Sequence, residues 1–204
     1  MVNNLFLFGS IGAGKSTVIR QCLTPYLPEV GGFYVQRILC NKALVAFSLK
    51  PVDHQLAYQL TQEVSNLLGL ENLFLYVDDQ GYWQRVDHVF QNSGARCLRN
   101  SRQNHKKLIL LDELGGIELH NQVFMAEVYE TLNSSTPVLG VVKAPANAQI
   151  LERVEAGKGV TDVNHTFIDY LNNDQGTELL DVDNIKRNEV ISKVKSFVGA
   201  VFNA

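Results

Sequence analysis

Apolar positions along the chain fall into short unbroken runs separated by stretches of helical spacing. Asn4–Phe8 (NLFLF) is one such run, ending at a glycine, and reads as a strand buried on both faces. From Gly14 to Thr24 the apolar positions Val18, Ile19, Cys22 and Leu23 share one side of a helix that Pro25 and Pro28 close. Gly31-Gly32 opens a β-rich run, Phe33–Leu39, and Asn41-Lys42 turns the chain into Ala43–Leu49, a predicted hairpin. Asp53 reads as the cap of a helix carrying Leu56, Leu60, Val64, Leu67 and Leu68 at helical period. Leu73–Val77 and Tyr82–Val86 flank Asp78-Asp79-Gln80-Gly81 as a second hairpin. A helix over Ser93–Asn104 leads to the strand Leu108–Leu111. The remainder predicts helix Gln122–Leu132, strand Val138–Val142, helix Ala148–Ala156 and a strand at His165–Tyr170. A long amphipathic helix, Asn184–Phe202, closes the chain, with Ile185, Val190, Ile191, Val194, Phe197, Val198 and Val201 inward.

Strands alternating with helices imply right-handed crossovers and an α/β fold, a mainly parallel sheet with helices on both faces. The hairpins between residues 33 and 86 add antiparallel strands to it. No repeat, low-complexity tract or linker divides the 204 residues. They read as a single P-loop domain, 1–204, with residues 33–90 as a hairpin and helix insertion. At 46% hydrophobic and 19% charged, the chain can bury a core without disulfides or a structural metal. The three cysteines are scattered and the five histidines lack ligand spacing, which argues against a disulfide framework or a zinc site. A net charge of −3 and a pI near 5.9 leave no electrostatic footprint for nucleic acid or an anionic membrane. No stretch is apolar for long enough to span a bilayer, and Leu5–Phe8 has neither the length nor the basic lead of a secretory signal. A cytoplasmic protein is expected, with no protein partner indicated.

The candidate chemistry begins at the end of the first strand. Gly9-Ser10-Ile11-Gly12-Ala13-Gly14-Lys15-Ser16 fits G-x-x-x-x-G-K-[ST] without a mismatch, and Thr17 follows inside the predicted helix. A triphosphate needs many donors close together, which backbone N–H groups supply only where the chain wraps tightly. Glycines at 9, 12 and 14 permit that wrap, and the helix that follows directs its unpaired N–H groups and positive dipole end at the phosphates. Lys15 is placed to bridge the β and γ phosphates and the Ser16 hydroxyl to ligate Mg²⁺. The implied ligand is a nucleoside triphosphate: ATP, GTP or another.

A P-loop also needs an acidic partner for the metal. Leu108–Leu111 ends in Asp112-Glu113, and such a strand is expected beside the P-loop strand with Asp112 facing Mg²⁺. The second carboxylate, Glu113, is the candidate for polarising an attacking water. Leu73–Val77 leads into Asp78-Asp79, but Gly81 makes that a hairpin tip, and Leu179-Leu180-Asp181 is shorter. Asp112-Glu113-Leu114-Gly115 also fits D-x-x-G, the guanine-nucleotide switch element. Its companion N-K-x-D is missing: Asn41-Lys42 is followed by Ala43-Leu44 and precedes the acidic strand.

Taken together, these residues resemble the small P-loop nucleoside-triphosphatase family of the thermophile or cancer-related type. The likeness is carried by Gly9–Thr17, Val30–Tyr34 (VGGFY), Leu111–Leu119 (LDELGGIEL) and Pro137–Val142 (PVLGVV), over most of residues 1–145. The third element is the most specific, matching D-E-[IL]-G-x-[MI]-E-L. The resemblance implies a RecA-like domain and Mg²⁺-dependent hydrolysis of ATP, GTP and other nucleoside triphosphates to the diphosphate. It puts Lys15, Ser16 and Asp112 around phosphate and metal, with Glu113 as the water-activating base. Glu118 also matches, and both a structural role, bonding the loop after the strand, and a catalytic one fit it.

Two positions depart from the family. Lys143 stands where a histidine usually follows the strand Val138–Val142, and Asp169–Asn172 lacks the arginine of an Asn-Arg pair. Residues 50–88 are also longer than usual. The extra cation that phosphoryl transfer uses must then come from elsewhere, and Lys143 and Arg99 are the candidates, Arg99 lying at helical spacing with Arg96 and Arg102. Phe33, Tyr34 and Trp83 are candidates for stacking on a base. Two other functions share these features: a small-molecule or nucleotide kinase, and a nucleotide-dependent binding module using the final helix.

Overall fold

Side chains of β1 (Asn4–Gly9) alternate between two apolar faces, with Leu5 and Leu7 on one and Phe6 on the other, all at most 2% exposed. Such a strand has to lie inside a sheet with helices on both sides. The computed structural model describes residues 2–52, 58–144 and 160–203. Among them a sheet of nine strands runs through the molecule. The others are β2 (Val30–Cys40), β3 (Ala43–Pro51), β4 (Thr61–Val64), β5 (Leu73–Val77), β6 (Trp83–Arg85), β7 (Leu108–Leu114), β8 (Val138–Lys143) and β9 (Thr177–Asp181). Their order is β6-β5-β3-β2-β7-β8-β1-β9, with β4 paired to β2 off this path. Strands β2, β7, β8, β1 and β9 are mutually parallel, while β3, β5 and β6 extend the sheet in antiparallel fashion.

Helices α1 (Lys15–Leu23) and α5 (Arg187–Phe202) cover one face, packing Val18, Ile19, Val190 and Val194 on Leu5, Leu7, Leu108 and Leu139. Helices α2 (Ala95–Gln103), α3 (Gln122–Leu132) and α4 (Val160–Asn173) cover the other, where Phe124, Val128, Phe167 and Leu171 meet Phe6, Ile109 and Leu111. Each fully buried side chain of this kind contributes about 1.5–3 kcal/mol, so both layers are needed to hold the strands flat between them. α5 therefore spends its apolar side on the sheet and α1 rather than on a partner.

β2 organises the site because it outruns its neighbour. Its first residues, Val30–Phe33, pair with β7, while Arg37–Cys40 project past that strand and pair with β4. Just before the handover lies Gly32, whose φ of +86° other residues adopt only at a cost, and where a Cβ would stand 2.0 Å from the Leu110 carbonyl oxygen. The Asn41-Lys42 turn has both residues at positive φ, which matches the twist of the β2–β3 hairpin.

Three elements differ from their sequence-based expectation. Helical period over 56–68 does not make a helix: Thr61–Val64 is β4, because the projecting half of β2 carries backbone donors and acceptors that need a strand beside them. Asp53 and Leu56 of that expected helix lie outside the described residues, as does Ala148–Ala156. His165–Tyr170 is not a strand but the middle of α4. The buried positions Asn164, Phe167, Ile168 and Leu171 follow the helical i, i+3, i+4, i+7 pattern, which a six-residue window of β-prone types conceals. The acidic strand β7 is not beside β1 either; β8 lies between them.

Gly32→Ala should lower the unfolding free energy by roughly 3 kcal/mol or more, because the new methyl meets backbone rather than a side chain that can swing away. Chemical denaturation measures it, and a loss below about 1 kcal/mol would contradict the close approach of β2 to β7.

Candidate active site

The carboxyl ends of β1, β7, β8 and β9 converge, the position where open α/β sheets present ligand sites. The loop after β1 is the predicted P-loop. Gly12 and Gly14 have φ of +84° and +81°, and Gly14 is the N-cap of α1. That helix has no side-chain cap and no acid in its first turn, so its leading N–H groups and dipole are left to an anion. Ile11, Gly12, Gly14, Lys15, Ser16 and Thr17 line a cavity of about 570 Å³. Ala13 faces a smaller hollow with Val182, Ile185 and Arg187 on the other side of the loop. Gly9 ends β1, and Ser10 is pinned from β9's end, its N–H and hydroxyl both donating to Asp183 Oδ2 at 2.8 Å. Those two bonds hold the Asp183 carboxyl below its usual range.

Lys15 is buried and donates to the carbonyls of Gly9 and Ser10, both at 2.7 Å. Burial lowers its pKa, opposed by the charges of Asp183, Glu113 and Asp112. The ammonium is thus held inside the loop by two neutral acceptors, which a phosphate would outcompete.

Asp112 is fully buried, and its two oxygens are taken by two hydroxyls: Ser16 Oγ donates to Oδ1 at 2.8 Å and the Tyr58 hydroxyl to Oδ2 at 3.1 Å. Burial, and then the charge of Glu113, push its carboxyl up to about 7 against the pull of these bonds. Neighbouring residues of a regular strand face opposite sides, which would send Glu113 away from the site. It arrives there because β7 and β8 change register between Leu111 and Leu114, and Glu113 takes a φ of +71°. A left-handed residue with a long side chain costs about 1–3 kcal/mol, and the bulge redirects the carboxylate into the cavity. There it accepts from Arg37 Nη2 at 3.4 Å and lies 4.0 Å from Lys143 Nζ. Both cations line the cavity.

The loop that follows is held by Glu118, whose Oε1 accepts from the N–H groups of Gly115 and Gly116 at 2.6 and 2.7 Å. Of the two roles open to Glu118, this geometry is the structural one. Asn164 of α4 adds a bond to the Gly115 carbonyl at 2.7 Å.

P-loop, Asp112, Glu113 and Lys143 are therefore assembled at one place, and Arg99 is not. Its guanidinium donates to Glu127 of α3, as Arg102's does, so this basic run ties α2 to α3 instead of facing the cavity. Phe33 and Tyr34 are core side chains, unavailable to a base, while Trp83 lines the cavity. Sequence reasoning passed over Arg37, Tyr58 and Asp183. Arg37 and Asp183 sit in ordinary strand and loop contexts, and Tyr58 fell within the expected helix; no local pattern marked them.

The donors gathered here could hold a divalent metal. Ser16 and Asp112 offer two hard oxygens against the phosphate cradle, and no cluster of three or more His, Cys, Asp or Glu poised for a metal occurs among the described residues. No helix among them is long and apolar enough to cross a membrane.

Known proteins are similar to this chain in sequence and in fold. The model of the family described as NTPase matches residues 4–195. Proteins named nucleoside-triphosphatase THEP1 are similar: that of Methanosarcina acetivorans is 27% identical over 76% of this chain and 84% of its own, and that of Natranaerobius thermophilus 23% identical over 94% of each. The crystal structure of THEP1 from Aquifex aeolicus superposes over 96% of this chain and 98% of its own with a TM-score of 0.58 at 13% identity, a likeness of fold. The sheet matches the expected RecA-like P-loop architecture.

Two measurements probe the site's internal forces. The folded pKa of Asp112 exceeds the unfolded carboxyl value of about 3.9, so the stability it contributes is present below that value and is lost as pH rises through about 7. In metal-free buffer, the melting temperature should fall more steeply from about pH 5 to about pH 8 than it does in Asp112→Asn; equal slopes would contradict the buried carboxyl. Glu118→Ala strands two buried N–H groups and should cost roughly 2–3 kcal/mol by denaturant titration.

Proposed function

The chain belongs to the NTPase family, and from that premise we propose that it is a Mg²⁺-dependent nucleoside triphosphatase, converting ATP, GTP and other nucleoside triphosphates to the diphosphate and phosphate. The observation that carries this reading is the Ser16–Asp112 hydrogen bond at 2.8 Å, made beside Glu113 in the P-loop cavity. Ser16 and Asp112 would hold the Mg²⁺, which when bound supplies charge neutralisation of the phosphate oxygens.

The residues of the chain do the rest. Lys15 leaves the carbonyls of Gly9 and Ser10 for the β and γ phosphates, and the N–H groups opening α1 hold the phosphate oxygens. Glu113 takes a proton from a water on its cavity side as the water oxygen bonds to the γ phosphorus. The bond from that phosphorus to the β–γ bridging oxygen breaks, and its electrons leave with the diphosphate. Lys143, from the end of β8, lies on the Glu113 side of the cavity, where charge accumulates on the γ-phosphoryl oxygens. Arg37 from β2 is the second cation there, in the role for which Arg99 was the sequence candidate. The chain has no N-K-x-D to read guanine, so that device does not restrict it to GTP.

Glu113→Gln keeps the side chain's shape and removes its basicity. Its kcat should fall at least about 100-fold while the Kd for Mg-ATP stays within about threefold. Lys15→Ala should weaken binding as well as turnover. Phosphate release by Glu113→Gln at the unmodified rate would defeat the base assignment, and calorimetry showing no binding of any magnesium-bound triphosphate would defeat the whole reading.

A further inference from the structure

The P-loop cavity does not end at Glu113. It continues to an apolar wall formed by Val35 of β2, Leu44 and Phe47 of β3, Leu75 of β5 and Trp83 of β6. Phosphate oxygens require donors, and this wall has none to offer except the indole N–H of Trp83. Its position relative to a bound nucleotide follows from the sheet order. A triphosphate with its β and γ groups at Lys15 and Ser16 directs its γ end toward Asp112 and Glu113 on β7. The strands bearing the wall lie farther out on that same side, beyond β7. The nucleoside extends the other way, toward the hollow between Ala13, Val182, Ile185 and Arg187 beside β9. The wall therefore faces the γ phosphorus from the side of attack.

Its chemistry indicates what fits. The rings of Phe47 and Trp83 are 6.0 Å apart, inclined at 35°, and Leu44 is 38% exposed, so aromatic and aliphatic surface is presented to the cavity. The whole cavity, phosphate cradle and apolar wall together, is about 570 Å³, within the roughly 300–1,000 Å³ of pockets that enclose small organic ligands. The acceptor at the boundary between wall and phosphate site is Glu113, whose charge is matched by Arg37 and Lys143. An occupant meeting that boundary must donate a hydrogen bond. We infer that the chamber binds a flat, largely apolar alcohol or phenol together with the nucleotide, its hydroxyl standing where the attacking water would otherwise stand.

The inference rests on the nucleotide reading above and names a second substrate for the same site. With the hydroxyl in place, its oxygen bonds to the γ phosphorus, its proton passes to Glu113, and the bond to the β–γ bridging oxygen breaks. The products are a phosphate monoester and the nucleoside diphosphate. Water is then the acceptor that serves when the chamber is empty. The antiparallel strands β3, β5 and β6 acquire a purpose here that phosphate binding does not give them.

The probe is 2-naphthol, titrated calorimetrically into protein saturated with the magnesium complex of the non-hydrolysable analogue AMP-PNP, and then added to turnover of γ-labelled ATP. Saturable binding to the nucleotide complex is expected, with label moving onto naphthol as free phosphate falls several-fold. Leu44→Asp, which places a charge on an exposed part of the wall, should weaken naphthol at least about tenfold, with AMP-PNP affinity measured alongside as the check on folding. If AMP-PNP itself does not bind, the nucleotide reading fails and this inference falls with it. If AMP-PNP binds and naphthol gives no saturable heat, displaces the nucleotide, or binds Leu44→Asp as tightly, the chamber is not this site. Label found only in free phosphate, or naphthol suppressing phosphate release without being labelled, overturns the transfer step.

Discussion

A buried carboxylate must be satisfied, and here that requirement holds three parts of the chain together. Asp112 has no access to water, so each of its oxygens takes a hydroxyl: Ser16 from the opening of α1 and Tyr58 from the segment that follows the β2–β3 hairpin. Remove either partner and a polar atom is stranded in the interior at a cost of about 1–3 kcal/mol. The P-loop cannot drift from the acidic strand without paying that penalty. The same network keeps a carboxyl whose ionisation is opposed by burial beside the place where a divalent cation would favour it.

Tension between Asp112 and its neighbour shapes the rest. Two adjacent carboxylates in a regular strand would diverge, one into each layer. The register change between β7 and β8 and the left-handed Glu113 bring the second carboxylate to the cavity. Local strain of this kind survives only where surroundings enforce it. Glu118 bonding to Gly115 and Gly116, and Asn164 bonding to the Gly115 carbonyl, are those surroundings. Arg37 and Lys143 then flank a carboxylate that would otherwise face Asp112 with only like charge for company.

The projecting half of β2 connects the catalytic end of the sheet to its antiparallel extension. Because β2 runs past the strand that pairs with its first half, it carries Arg37 to Glu113 and brings β3, β5 and β6 around the far side of the cavity. Gly32, in the half paired with β7, lies so close to Leu110 that no side chain fits.

What could be read from residue order alone was the family likeness and the site candidates whose parts are neighbours in sequence. G-x-x-x-x-G-K-S is a single turn of chain, with its glycines, lysine and hydroxyl all within eight consecutive residues. The apolar run closed by Asp112-Glu113 and the alternation of strands with helices were legible for the same reason: period and punctuation are local. Folding alone decided which strands lie side by side, that β8 separates the acidic strand from the P-loop strand, and that 61–64 pairs as a strand while 165–170 is helical. It also recruited Arg37, Tyr58 and Asp183 and turned Arg99 away to Glu127. Those outcomes depend on backbone groups and carboxylates finding partners across separations that run from 28 residues at Arg99–Glu127 to 173 at Ser10–Asp183. No window of sequence contains both members of such a pair, so only the packed structure could select them.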